Sequence, residues 1–374
     1  MAKRTILITT PYFYPTVGGM ENYAFAVARG LVTRGFKVVV ACGDHIGHIQ
    51  MQTIDGITIY RLPLWFTVSN TPVNPLWPFM LRRIIRKERP DIINAHTPVP
   101  FMVDMTALAA GRTPLVVTYH AATLFKQSGP LFRAITSLYL PIQALTLHKA
   151  RSIFAVSSYV KNSLAPQLHK KTFVMPNATY TQSHPRQSGQ EGLVFVANLE
   201  PTHAWKGLDV LIDSLAELKT NGTVVPNLTV IGDGAYRRHY EDRVNKLGLM
   251  QNVSFAGRIV GRNRDRLISR AQALVMCPTS ANDAFPTVLL EAWSLGLPVI
   301  ATSIGPMPSL IEDGVTGLLV PARDKVALAN AISDALKRPE KLHTMGAVGR
   351  RLVRVEYNWD VQVNRASRLL EQLV

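Results

Sequence analysis

Three stretches decide the fold: Leu193-Val194-Phe195-Val196-Ala197, Gly207 to Lys219, and Leu228-Thr229-Val230-Ile231. The first and last are short, continuous apolar runs, the pattern of strands covered on both faces in a parallel sheet. Between them Leu208, Leu211, Ile212, Leu215 and Leu218 recur at helical spacing, so the middle stretch is an amphipathic helix laid on that sheet. Downstream the rhythm continues: helix Tyr236–Leu247, strand Val253–Phe255, helix Arg264–Ala271, strand Ala273–Cys277, helix Pro286–Leu295 and strand Pro298–Ala301.

The same alternation runs upstream. Strands are expected at Thr5–Thr10, Lys37–Ala41, Ile57–Arg61, Ile92–Ala95, Leu115–Tyr119 and Ser152–Val156, with helices at Met20–Arg34, Pro78–Lys87 and Leu131–His148. Pro176-Asn177-Ala178 and a polar run from Thr181 to Gly192, with Pro185, Ser188 and Gly189, break the pattern and mark a domain boundary. The fold class is therefore α/β, with two tandem Rossmann-like, doubly wound parallel sheets. The first covers residues 1–180 and the second 190–355. An amphipathic helix, Trp359 to Leu373, follows the second sheet, and residues 356–374 are expected to pack across both domains.

Composition agrees. A chain of 374 residues exceeds what one hydrophobic core usually holds, and 47% hydrophobic with 18% charged residues excludes a disordered or fibrous chain. Two cysteines, Cys42 and Cys277, cannot build a disulfide framework and point to free thiols in a reducing compartment. Met1-Ala2-Lys3-Arg4 leads directly into the first strand, which argues against a secretory signal. A cytoplasmic protein is expected, peripheral at a membrane at most. The net charge of +16 is uneven: residues 1–180 carry 19 Lys and Arg against 6 Asp and Glu, and the remainder 22 against 19. The first half thus suits an anionic partner or a solvated basic surface. No aromatic-basic platform or recognition motif accompanies the charge, so nucleic acid is not the expected partner.

Ligands of open parallel sheets bind beyond the carboxyl ends of the strands, which singles out the residues that follow them. After the first strand come Val17-Gly18-Gly19-Met20-Glu21, a glycine pair before a helix whose free amides attract phosphate. His96 and His120 end two neighbouring strands, each either a structural histidine or a group facing a ligand. Lys206 stands beside the start of the helix at Gly207, where its charge opposes the helix dipole unless an anion sits between them; the alternative is a lysine reaching to solvent. Gly232-Asp233-Gly234 forms another strand-end turn. Pro286 is expected at the first helical position, leaving the amides of Thr287 and Val288 outward as a second anion contact. Asp283 and Glu291 flank that helix start, and a carboxylate among Leu, Ala and Trp calls for sugar or ribose hydroxyls as partners.

In this order, Gly18-Gly19-Met20-Glu21, His120, Trp205-Lys206-Gly207, Gly232-Asp233-Gly234, Phe255-Ala256-Gly257 and the segment from Asp283 through Glu291 to Pro298 resemble the family 4 glycosyltransferases over nearly the whole chain. The resemblance implies a GT-B fold with an interdomain cleft, and retaining transfer of a hexose from a UDP- or GDP-linked sugar to a glycan or lipid-linked acceptor. By that resemblance His120, Lys206 and Asp283 are catalytic. Gly18, Gly19, Asn198, Lys206, Gly207, Gly234, Arg258, Asp283, Phe285, Pro286, Thr287, Val288 and Glu291 bind the donor, and Glu21 and His96 face the acceptor. Lys206 corresponds to the lysine that neutralises the diphosphate, and Glu291 to the carboxylate on the ribose.

Two positions depart from the family pattern. Asn198 replaces an arginine beside the diphosphate, so either Lys206 carries the diphosphate with helix amides, or another basic residue such as Arg258 or Arg262 enters, or the donor site is weakened. Asp283 stands where a glutamate is usual. No Asp-x-Asp pair occurs, so neither a metal nor another cofactor is expected. Leu81 to Arg89, with five basic residues, and the stretch from Phe125-Lys126 to Lys149 are candidates for an anionic membrane surface, although a helix between two strands also has a core to cover. The rival readings are a nucleotide-sugar epimerase, a phosphorylase of the same layout, and an inactive sugar-nucleotide binding protein.

Overall fold

The computed structural model describes residues 3–16, 18–68, 71–121, 130–181 and 192–374. Val17, Phe125, Lys126 and most of the polar linker, with Pro185, Ser188 and Gly189, fall outside them. The chain forms two units, Met1–Ala178 with Trp359–Val374, and Thr179–Asn358.

The first unit runs β1 (Thr5–Thr10), α1 (Gly19–Thr33), β2 (Lys37–Asp44), β3 (Gln50–Ile54), β4 (Ile57–Pro63), β5 (Phe66–Val68), β6 (Thr71–Val73), α2 (Trp77–Glu88), β7 (Ile92–Thr97), α3 (Met102–Ala109), β8 (Leu115–Tyr119), α4 (Pro130–Lys149), β9 (Ser152–Ala155), α5 (Ser158–Ser163) and β10 (Thr172–Val174). Its eight-stranded sheet has the order β10-β9-β8-β7-β1-β2-β4-β3. All pairs are parallel except β3 with β4. The chain leaves β1 toward β2 and later returns on its other side at β7, so the order reverses between β1 and β7.

The second unit runs β11 (Leu193–Val196), α6 (Leu208–Thr220), β12 (Leu228–Ile231), α7 (Arg237–Lys246), β13 (Val253–Gly257), α8 (Gly261–Arg270), β14 (Ala273–Met276), α9 (Thr287–Ser294), β15 (Val299–Thr302), α10 (Met307–Leu310), β16 (Leu318–Val320), α11 (Lys325–Leu336) and α12 (Pro339–Val355). Its six parallel strands lie in the order β13-β12-β11-β14-β15-β16, reversing between β11 and β14. The helical face read from the sequence is the core: Leu208, Leu211, Ile212, Leu215 and Leu218 bury against Phe195 and Val230. In α9, Trp293 is fully buried, donates Nε1 to the Thr316 carbonyl at 3.0 Å, and lies so close to Gly349 of α12 that a side chain there would overlap its ring.

α13 (Trp359–Gln372) belongs with the first unit. It packs on α1, where Gly30 leaves room for Val363, and Trp359 stands edge-on to Tyr23 at 5.4 Å. The sequence pattern missed β3 and the β5–β6 hairpin, because Gln50 to Ile54 is largely exposed and carries no apolar face to read.

Trp293→Ala should destabilise the second unit by about 3–5 kcal/mol, the range for emptying a fully buried large aromatic site. Denaturant unfolding followed by tryptophan fluorescence and circular dichroism reads the loss.

Candidate functional site

In the second unit the residues that follow β11 and β14 meet where the strand order reverses. Pro201 to Lys206 form a short 3-10 helix, and Gly207, in the left-handed region at φ 82°, caps the start of α6. A Cβ at Gly207 would overlap the Cys277 carbonyl oxygen just after β14, and the Cys277 thiol in turn donates to the Gly207 carbonyl at 3.0 Å. Only glycine permits this approach. Thr279 completes the seam by donating its amide to the Trp205 carbonyl at 2.8 Å. Lys206, the last residue of the 3-10 helix, is thereby delivered to the loop after β14, where Nζ meets Asp283 Oδ2 at 2.5 Å and lies 4.3 Å from the Trp205 ring centroid. Both partners of the ion pair are under a third exposed.

Two expectations change here. The helix begins at Leu208, one residue later than the expected Gly207, and Lys206 ends a separate 3-10 turn before it. Its charge is met by Asp283 in the structure, not left for an anion alone. Pro286 likewise is the residue before α9, with extended backbone at φ −78° and ψ 104°, and Thr287 is the first helical residue. The amides of Thr287 and Val288 remain among those that an α-helix start leaves without intrahelical partners. Phe285 is buried and tilts against Tyr357 at 5.9 Å, which makes it a support for this loop.

A cavity of about 560 Å³ lies at the carboxyl ends of β11, β12 and β13 in the same unit. Asn198, Glu200, Gly232, Asp233, Gly234, Arg258 and Arg264 contribute to its wall. Its size is that of a small-molecule site. Gly234, at φ 154°, turns so tightly over Leu199 that any side chain would strike that residue's carbonyl. Glu291, expected to wait for hydroxyl groups, is bonded to Arg264 of α8 at 2.5 Å. Sequence reading missed Arg264 because the pair joins two helices 27 residues apart, with no spacing rule to link them. Arg262 is exposed and is not among the residues lining the cavity.

The first unit places Gly18 just before α1 and Gly19 as its first residue. The carboxylate of Glu21 folds back against Gly18, so an acidic side chain of the chain itself covers that helix start. Burial raises the Glu21 pKa, opposed in part by its own backbone amide. His96 differs from the expected acceptor-facing group: it lies within β7, fully buried. Its Nδ1 is 3.0 Å from Nε2 of His120, which follows β8, and the two rings stack at 5.1 Å between centroids. Tyr23 stands edge-on to both. Burial pulls the pKa of His96 down to about 3 and that of His120 well below its ordinary value, the latter also through repulsion from His96. Both rings are therefore neutral at neutral pH, and one of the two facing nitrogens donates to the other.

Among the described residues, no group of three or more His, Cys, Asp or Glu side chains is arranged to hold a metal ion, and no helix is long and apolar enough to cross a membrane.

Two family profiles match in tandem, Glycosyltransferase Family 4 over residues 17–183 and Glycosyl transferases group 1 over residues 177–352. The chain is 28% identical over 346 residues to the D-rhamnosyltransferase WbpZ of Pseudomonas aeruginosa, covering 90% of this chain and 87% of that protein. It is 25% identical over 382 residues to the phosphatidylinositol N-acetylglucosaminyltransferase gpi3 subunit of Schizosaccharomyces pombe, covering 98% and 80%. Among solved structures, Anabaena Alr3699/HepE in complex with UDP superposes with a TM-score of 0.76 at 18% identity, covering 99% of this chain and 100% of that one.

Because the folded-state pKa values of His96 and His120 lie below 6.5, the stability they allow is complete above that pH and falls as pH drops, when the unfolded chain takes up protons that the buried pair refuses. Denaturant midpoints for the first unit should therefore decline from pH 6.5 to about pH 4. They should decline less steeply in His96→Leu, which has one imidazole fewer to charge.

Proposed function

The chain belongs to the group 1, family 4 glycosyltransferases, and from that premise we propose that it moves a hexose from a nucleoside-diphosphate sugar to a hydroxyl of a glycan or glycolipid at a membrane surface. It is a retaining glycosyltransferase of the GT-B fold that uses a nucleotide-sugar donor. The observation that carries the donor assignment is the Lys206–Asp283 pair at the strand-order reversal, in the unit whose cavity Asn198, Gly234 and Arg258 help to line.

The bond from the anomeric carbon to the diphosphate breaks while positive charge grows on the sugar ring and negative charge on the leaving group. Lys206 faces that negative charge, with the amides at the starts of α6 and α9 as fixed dipoles around it. Asp283, released from Lys206 by the phosphates, takes the hydroxyls of the donor sugar, and Glu291 takes those of the ribose. His120, neutral because it is buried, has its Nε2 engaged by His96 and keeps only Nδ1 for a sugar hydroxyl. Retention follows when the acceptor hydroxyl attacks on the face the diphosphate leaves, passing its proton to the departing phosphate. The reading needs no divalent metal, in keeping with a family that is typically metal-independent.

The acceptor side rests on the first unit. α2 presents Arg82, Arg83 and Arg86 at its surface with Phe79, which is 67% exposed. Arg82 reaches the Leu108 carbonyl of α3, and α4 exposes Leu138 and Leu145. Basic and apolar groups together suit an anionic lipid surface at the inner face of a membrane. The phosphatidylinositol acceptor named for the yeast relative supports the same class.

Lys206→Ala should lower kcat by roughly a hundredfold to a thousandfold, the scale for a lost transition-state charge contact, with little change in the melting temperature. Turnover equal to wild type, or a product of inverted anomeric configuration, would refute the mechanism. Sedimentation with anionic vesicles should capture the protein at low salt and release it at high salt, with Arg82→Glu/Arg83→Glu/Arg86→Glu no longer captured. Retention unaffected by salt, or equal on neutral vesicles, counts against the lipid surface.

A further inference from the structure

We propose that Arg264 supplies the diphosphate-binding charge that Asn198 omits, held on Glu291 until the ribose displaces it. The inference rests on the donor assignment above and deepens it by one residue. Sheet order gives the geometric reason. α8 follows β13 and α9 follows β14, and between those strands lie β12 and β11. Those strand ends share one cavity, whose wall includes Arg264 together with Asn198 and Gly234. The guanidinium bonded to Glu291 is thus a cation on the same cavity wall as Asn198.

Its surroundings make a cation necessary there. The other charged groups lining the cavity are Glu200, Asp233 and Arg258. Glu200 accepts from the Ala235 amide and Asp233 from the Gly234 amide, so both carboxylates are fixed in place and would repel a diphosphate. Asp233 is offset by Arg237 at 3.7 Å. Arg258 is exposed, with no bonded partner to orient it among the described residues. Arg264 is 23% exposed and anchored through Nη2 alone, leaving Nε and Nη1 without a partner among the described residues. A planar guanidinium with free donors is suited to paired phosphate oxygens. When ribose hydroxyls occupy Glu291, the guanidinium turns from carboxylate to phosphate, so nucleoside and diphosphate are recognised in one exchange of partners.

The test is calorimetric titration with UDP and GDP, each compared with its nucleoside. Arg264→Gln should weaken the diphosphate by about tenfold or more while the nucleoside changes little. Arg264→Lys should lose less. Adding Asn198→Arg to Arg264→Gln should restore most of the lost affinity, which a purely structural role for Arg264 would not allow. Equal losses for nucleoside and diphosphate, no loss at all, or a phosphate-selective loss in Arg258→Gln with none in Arg264→Gln would overturn the proposal. If wild type binds no nucleoside diphosphate, the donor assignment itself fails and takes this inference with it; binding by wild type with an unaffected Arg264→Gln sinks the inference alone.

Discussion

The close approach of Gly207 to the Cys277 carbonyl, which leaves no room for a Cβ, is the constraint on which the second unit's chemistry depends. In a parallel sheet every strand delivers its chain to the same edge, but delivery alone leaves loops free to splay. Here a residue without a side chain lets the turn after β11 close against the end of β14, and the Thr279 amide ties the seam at Trp205. Lys206 and Asp283, 77 residues apart, then meet as a consequence of backbone packing. Any side chain at Gly207 would push the ammonium away from the loop it serves.

A second theme is that the site satisfies its own charges. Lys206 is held by Asp283 and by the face of Trp205, Glu291 by Arg264, and the start of α1 by Glu21. Half-buried ions left alone would be costly, and paired ions keep their side chains in place at the same time. The arrangement favours ligands able to engage both signs at once: anionic oxygens for the cations and hydroxyl donors for the carboxylates. A simple anion would satisfy Lys206 while stranding Asp283. A nucleoside-diphosphate sugar has both kinds of group.

Much of this was legible from residue order. The apolar runs fixed nearly every parallel strand, and strand ends directed attention to Lys206, Asp283 and Glu291 before any coordinates. What stayed hidden was pairing across the sheet. Nothing local in the strongly basic start of α8 distinguishes Arg264 from Arg262 and Arg266, since only the path of the chain shows which of them faces Glu291. The burial of His96 is hidden for a related reason: β7 runs two residues further than its apolar pattern, through His96 and Thr97, and carries the imidazole into the interior. Polar β3 gave no alternation to read, because an edge strand on solvent needs none.

The return of α13 to the first unit has a consequence for biosynthesis. Residues 179–358 emerge from the ribosome before Trp359 is available to lie against Tyr23 and Val363 against Gly30. The later-coded unit is contiguous and can therefore be finished first, whereas the earlier-coded one must wait with part of α1 uncovered. That waiting surface includes the ring that braces both histidines, so the nascent protein exposes it to chaperones until translation has passed the second unit.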